Sequence, residues 1–226
     1  MIFNIITTLP EIFTSIIKTG LIQTAISKKI IKINLFNPKI YNKIKFKPYG
    51  GGGNLIMKAK PFSDIIYKIK ENNNNKDIII INVSPKGKNI TQNDIKNISR
   101  KKEIIILCGR YKGIDTRINT YINKKWSIGN YITTSGEIAT IIILTAILRL
   151  IPGFLKNSSI KNNSFTNELF DYPNYTKPKI INKINIPNIL LSGNHKKIKT
   201  WREKKSLKNT WYYRPDLIKK IKFKYI

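Results

Sequence analysis

Glu103-Ile104-Ile105-Ile106-Leu107-Cys108-Gly109-Arg110-Tyr111-Lys112-Gly113-Ile114-Asp115-Thr116-Arg117 passes from an apolar run into a loop of glycine, charge and one aromatic. The apolar half reads as a buried strand, and the half that follows is too polar to be core. Two glycines four residues apart let backbone approach a bound molecule closely, while Arg110, Asp115 and Arg117 supply paired opposite charges. The stretch therefore predicts a strand that ends at a ligand, and it marks the place where chemistry begins.

Outward from it, β-branched apolar runs at 2–7, 30–35 and 77–83 join 103–107 as strands of a mainly parallel sheet. Helical stretches lie between them. Pro10-Glu11 opens one to about Ala25, Pro61 opens one to about Lys70, and Thr91 with Asp94 predicts a capping box for a helix to about Ser99. Strands alternating with helices make an α/β domain. Ser135-Gly136-Glu137 leads into a helix over 138–150 that is apolar on nearly every face, hence expected buried, and closed by Ile151-Pro152-Gly153. The first domain is thus expected over 1–155 and a polar linker over 156–166. Residues 167–226, with Pro173, Pro178, Pro187 and Pro215 between short apolar patches, read as a small, mostly helical second domain.

The charge balance is 42 Lys+Arg against 12 Asp+Glu, a net +30 over 226 residues. Such a field attracts polyanions and makes binding salt-dependent. Ile, Lys and Asn are used so heavily, as in Asn72 to Asn75, that part of the lysine excess reads as plain solvated surface. Cys108 is the single cysteine, so no intramolecular disulfide forms and a reducing compartment fits. Met1 to Ile6 lacks a basic leader region, and the longest apolar run, 138–148, is too short to span a bilayer. These features predict a cytoplasmic protein with no membrane partner. The sole histidine, His195, cannot make a metal site, and none is predicted.

Three more loops resemble the opening one in character. Pro48 to Asn54 holds four consecutive glycines but no Gly-Lys-Ser/Thr, so it is not a phosphate loop. Asn82-Val83-Ser84-Pro85-Lys86-Gly87 sits at a strand end, and Trp126-Ser127-Ile128-Gly129-Asn130-Tyr131 leaves another extended stretch. Four such loops in one α/β domain are expected to converge on one ligand site.

Taken in order, Pro48-Tyr49-Gly50-Gly51-Gly52, Ser84-Pro85, Cys108-Gly109-Arg110-Tyr111, Gly113-Ile114-Asp115, Trp126-Ser127-Ile128-Gly129, Arg149-Leu150-Ile151-Pro152-Gly153, Tyr175-Thr176-Lys177-Pro178 and Leu190-Leu191-Ser192-Gly193-Asn194-His195 resemble the bacterial tRNA (guanine-N1)-methyltransferases of the SPOUT class. The resemblance runs from Met1 to about Leu217. It implies a deep trefoil knot in the later half of the first domain, an exception to the rule against threaded chains, and a shortened tRNA-binding second domain. It also implies S-adenosylmethionine held bent in the knot by Ser84, Pro85, Gly109, Ser127, Ile128, Gly129, Tyr131 and Gly136. The implied reaction methylates N1 of the tRNA guanosine immediately 3′ of the anticodon, protecting the reading frame, in a homodimer whose sites combine both subunits. Magnesium dependence is a trait of the family.

Guanine N1 carries a proton, so the reaction needs a general base, and a cation near O6 to stabilise developing negative charge. Arg149 matches the family's arginine for the second role. Asp115 and Arg117 are expected on the guanine side. Lys196, Lys197 and Arg202, around Trp201, are expected to meet tRNA, with His195 capping a helix or facing the RNA. The family's general-base aspartate, just before Ser-Phe, is Asn163 here, and an amide cannot take the proton at neutral pH. Asp171, which matches a family aspartate near the site, is expected to take it or to orient the guanine, with Glu168 as second candidate. Lys112 stands where the family keeps a glutamate, Asn130 and Thr145 where it keeps aspartates, and Ser135 where it keeps a glycine. The alternative reading is a tRNA-binding protein of the same fold with weak or lost catalysis, and a third is a SPOUT enzyme acting on another tRNA nucleoside.

Overall fold

Isoleucine is stiff at χ1 and suits a pleated, half-buried surface, and the isoleucine runs near 2–6, 78–83 and 103–108 form strands, while the longest apolar run, 138–148, forms a helix. The structure is a computed structural model that describes residues 1–40, 44–72, 77–155, 163–165 and 168–222. The strands are β1 (Ile2–Ile6), β2 (Lys32–Phe36), the two-residue β3 (Lys45–Phe46) and β4 (Ile56–Met57), β5 (Ile78–Asn89), β6 (Glu103–Cys108) and β7 (Lys124–Ser127). Five of them form one parallel sheet in the order β2-β1-β6-β5-β7, while β3 and β4 pair antiparallel.

The opening stretch supplies the middle strand. All of β6 is buried, and the two-residue period sends Ile104, Ile106 and Cys108 to one face, Ile105 and Leu107 to the other. The first face is covered by α1 (Glu11–Ile17), α2 (Gly20–Ser27), α4 (Gln92–Ile98) and α5 (Gly136–Leu148). The second is covered by α3 (Lys60–Glu71), through Phe62, Ile65, Ile66 and Ile69. The capping box forms as read: Asp94 N donates to Thr91 Oγ1 (3.3 Å) and Thr91 N donates to Asp94 Oδ2 (3.1 Å).

Three expectations are corrected. The helix read over 10–25 is two helices, parted at Lys18 and Thr19. The stretch 84–87, read as a loop beyond the strand, is an excursion within β5: Val83 and Lys88 both register against Trp126, and pairing resumes at Asn89 with Ser127. Gly87 makes the return possible, since a Cβ there would lie 2.6 Å from the backbone of Lys125 and Trp126. Finally, α5 is not buried all round. The sheet covers one side, and Ile138 and Ile142 remain 41% and 46% exposed.

Residues 1–155 form one compact unit and 156–226 a second. The second contains a short hairpin, β8 (Ile180–Ile181) and β9 (Ile184–Asn185), then α6 (His195–Tyr213) and α7 (Pro215–Lys222). Its inner hydrogen bonds run from Phe170 N to Thr210 Oγ1 (2.8 Å) and from the Ser206 hydroxyl to the Phe170 carbonyl. Residues 156–162 and 166 of the expected linker, 167 of the expected second domain, and 73–75 of the asparagine tract, lie outside the described residues. Among the described residues, no helix is long and apolar enough to cross a membrane.

Gly87→Ala forces a side chain into the β5–β7 backbone contact, and overpacking of this kind costs about 1–3 kcal/mol. Thermal unfolding is expected to shift down by roughly 5 °C; an unchanged midpoint would contradict the close approach.

Candidate active site

Parallel strands present their carboxyl ends together, and here the ends of β5, β6 and β7 open on a cavity of about 490 Å³. Its walls are the β5 excursion, the loop after β6, the turn after β7 and the first turn of α5. Backbone contacts fix their mutual positions. Gly136 N donates to Gly109 O (2.9 Å), and a Cβ on Gly136 would stand 2.8 Å from that oxygen and 2.9 Å from Gly109 N. Only glycine lets the start of α5 meet the end of β6. Ser127 Oγ curls the next wall, accepting from Gly129 N (3.2 Å) and donating to Gly129 O (2.9 Å). On the opposite side β4 holds the loop after β6: Met57 N donates to Gly113 O (3.0 Å), Asp115 N to Met57 O (2.8 Å), and Lys112 N to Leu55 O (3.2 Å).

Of the residues expected at the donor, Ser84, Pro85, Gly109, Ser127, Ile128, Tyr131 and Gly136 line this cavity; Gly129 belongs to the same turn without lining it. The four loops do not all converge. The run 48–54 does not line it, with Tyr49 fully exposed and open space where a Cβ on Gly50, Gly51, Gly52 or Gly53 would stand, and β4 contributes Ile56.

Asp115 and Arg117 flank the lining residue Thr116. Arg117 Nη2 donates to Asp115 Oδ2 (2.6 Å), and Arg117 N donates to Asp115 Oδ1 (3.0 Å). The carboxylate thus caps the short 3-10 turn at Thr116–Tyr121 and holds the guanidinium. The Arg117 side-chain hydrogen bond, and then the backbone one, keep the Asp115 carboxyl below the usual carboxylate range; the same partner raises Arg117.

Sequence reasoning missed Glu137, which lies fully buried beside the cavity. Its Oε1 accepts from Thr7 Oγ1 (2.8 Å), tying the end of β1 to α5, and its Oε2 has no hydrogen-bond partner among the described residues. A charge inside the first turn of an otherwise apolar helix was the available signal. Nearby, Cys108 Sγ lies 3.1 Å from Thr140 Oγ1, and burial pushes its thiol far above the ordinary range.

Of the remaining expected residues, Arg149 belongs to the first unit and does not line the cavity, and the others belong to the second unit. Arg149 is the C-cap of α5, about 15 Å along the helix from Ala139, the last residue of α5 that lines the cavity. In the second unit Asp171 Oδ1 accepts from Tyr172 N (2.8 Å), and Oδ2 from Asn174 Nδ2 (2.9 Å). Asp171 N donates to Oγ of Ser164, the neighbour of exposed Asn163 (3.0 Å). Glu168 is exposed and its backbone is left-handed (φ 63°). Lys196, Lys197 and Arg202 are exposed on α6, with the Arg202 guanidinium 4.7 Å from the Tyr172 ring centroid. Asn194, not His195, caps α6, its Oδ1 accepting from Lys197 N (3.0 Å). Trp211, Tyr212 and Tyr213, at 65%, 70% and 66% exposure, form an aromatic group that the sequence reading passed over. Among the described residues, no three His, Cys, Asp or Glu side chains gather to hold a metal ion.

Residues 1–220 match the family described as tRNA (guanine-1)-methyltransferase TrmD. The chain belongs to this family. It is 50% identical over 226 residues to a protein named tRNA (guanine-N(1)-)-methyltransferase from Buchnera aphidicola subsp. Acyrthosiphon pisum, across 96% of this chain and 94% of that one. A protein of the same name from Buchnera aphidicola subsp. Baizongia pistaciae is 45% identical across 98% and 91% of the two chains. A third, from Clostridium botulinum strain Kyoto, is 43% identical across 98% and 93%. In this tRNA (guanine-N1)-methyltransferase family member, Cys108 serves as packing. The native protein is expected to leave Cys108 unmodified by a thiol reagent up to about pH 9 and to react once denatured. Equal rates in both states would contradict its burial.

Proposed function

We propose that this chain, in the cytoplasm, transfers the methyl group of S-adenosylmethionine to N1 of the tRNA guanosine immediately 3′ of the anticodon. The observation that carries the reading is the cavity at the Gly109–Gly136 junction, in a chain that matches the family along nearly its whole length. The cavity suits the donor: its size is that of small-molecule sites, and Ile114, Ile128 and Tyr131 on its walls supply apolar and aromatic contact. When bound, the donor supplies an electrophilic methyl on a cationic sulfur. No step is assigned to magnesium, because the described acids do not assemble a site for it.

The knot belongs to the same reading. The chain leaves β7 at the sheet edge, yet α5 must return past β5 to set Gly136 against the end of β6, a path of the kind that threading produces.

Two observations support a site shared between two copies. Arg149 stands about 15 Å along α5 from the nearest helical residue lining its own chain's cavity, farther than its side chain reaches. It also continues the exposed stripe Ile138, Ile142 and Thr145, spaced three or four residues apart on one face of α5. A second copy packed on that stripe covers the isoleucines and brings each Arg149 towards the other's cavity, where its fixed charge stabilises negative charge growing on guanine O6. Asp171, ordered by Tyr172 and Asn174, keeps lone pairs to take the N1 proton or to orient the base. The lysines of α6 meet phosphates, while Trp211, Tyr212 and Tyr213 offer stacking faces to unpaired bases.

The test is transfer of labelled methyl to two tRNA transcripts that differ only in having G or A after the anticodon. Label is expected in the G transcript alone, located by mass mapping; label elsewhere, or none, refutes the reading. Asp171→Asn is expected to slow transfer by about 100-fold or more, and Asn163→Asp to raise it; a rate unchanged by the first removes Asp171 from the base role. Ile142→Glu is expected to give a folded monomer by light scattering with no transfer, and an active monomer would refute the shared site.

A further inference from the structure

Of the nineteen residues of α6, the one that is buried is Thr210. Helices usually dock through an apolar stripe. This one instead turns Ser206, Asn209 and Thr210, three and four residues apart on one face, towards Phe170 and Asp171. Thr210 Oγ1 accepts from Phe170 N (2.8 Å), the Ser206 hydroxyl donates to the Phe170 carbonyl, and Asn209 Nδ2 donates to Asp171 O (3.4 Å). Ser164 Oγ accepts from Asp171 N (3.0 Å). All four backbone polar groups of Phe170 and Asp171 are thus held by side chains. Thr210 Oγ1 in turn donates to Ser206 O (2.8 Å), which commits its proton and leaves a lone pair for Phe170 N.

We infer that this polar face of α6 is a positioning device for Asp171, with Thr210 and Ser206 as positioning residues for methyl transfer. The inference rests on the reading of Asp171 as the group that takes the guanine N1 proton or orients the base. Apolar packing is non-directional, whereas hydrogen bonds fix both distance and direction. A carboxylate that must come within hydrogen-bond reach of one proton needs the second kind of hold. The backbone of Asp171 is set by α6 and Ser164, and the rotation of its carboxylate by Tyr172 N on Oδ1 and Asn174 Nδ2 on Oδ2. The same helix carries Lys196 and Lys197, so the element that meets tRNA phosphates also fixes the carboxylate. One turn before Ser206, the Arg202 guanidinium stands 4.7 Å from the Tyr172 ring centroid and extends the contact along α6.

A reacting group displaced by about 1 Å loses up to about 100-fold in rate, so loss of one of the holding bonds is expected to cost about tenfold. Thr210 is the position to test, because valine keeps its shape and removes the acceptor, while serine keeps the hydroxyl. Ser206→Ala removes the other hydroxyl and leaves the Phe170 N–H paired with Thr210.

Methyl transfer by the full-length protein, followed against tRNA concentration, gives kcat and KM separately. Thr210→Val is expected to lower kcat about tenfold and to leave the KM for tRNA within about twofold; Thr210→Ser is expected to recover most of the rate. In an Asp171→Asn background Thr210→Val is expected to change kcat by less than about twofold, because the group it places is already gone. Should Thr210→Val lose the wild-type circular dichroism, Ser206→Ala carries the same comparison. An unchanged kcat, a change in KM alone, or a loss that persists in full in the Asp171→Asn background overturns the inference. Asp171→Asn at the wild-type rate overturns instead the reading of Asp171 on which the inference rests.

Discussion

The structure hangs on one backbone contact, the approach of Gly136 to Gly109. It joins the end of the central strand to the start of the most apolar helix with a 2.9 Å hydrogen bond and no room for a side chain on Gly136. Around it, Glu137 reaches Thr7 at the end of β1, and Thr140 meets Cys108 one turn deeper. Three elements, β1, β6 and α5, are thereby fixed at one point, and the cavity is the space left beside it. The first turn of α5 also directs amide groups and the positive end of its dipole to that side.

How much was legible in the sequence varies with the physics involved. The central strand was readable because β6 is apolar on both faces and bounded by a polar loop, and α4 because Thr91 and Asp94 stand at capping distance. The excursion in β5 was not, since Pro85 and Gly87 look like a loop whether or not the chain returns to pair. The edge strand β7 carries Lys124 and Lys125, as exposed edges do, and so lacks an apolar run. The stripe on α5 was hidden by composition: with isoleucine on every side, the contrast between inner and outer faces disappears. No local signal told which glycine loops reach the cavity, because that depends on hydrogen bonds of β4 to residues more than fifty positions away.

The candidate site was legible in its residues and not in its distances. Motif order pointed to Gly109, Ser127 and Gly136 together, and they share one cavity. Motif order also paired Arg149 with them, yet a whole helix lies between, and that separation is what gives the proposed second copy a chemical task. The charge pattern has a similar double aspect. Most lysines are surface, but those at 86, 112 and 125 stand on the cavity wall, where drift in composition becomes a property of the site.

Subunit complementation tests the shared site most directly. Arg149→Ala keeps the cavity and loses the cation; Ser84→Trp keeps the cation and fills the cavity. Each variant alone is expected to be inactive. Mixed and allowed to exchange subunits, they form dimers in which one intact cavity faces one intact Arg149, and activity is expected to return to about a quarter of the wild-type level at equal mixing. Mixed dimers, verified by differential tagging, that transfer no methyl would contradict a site built from two copies.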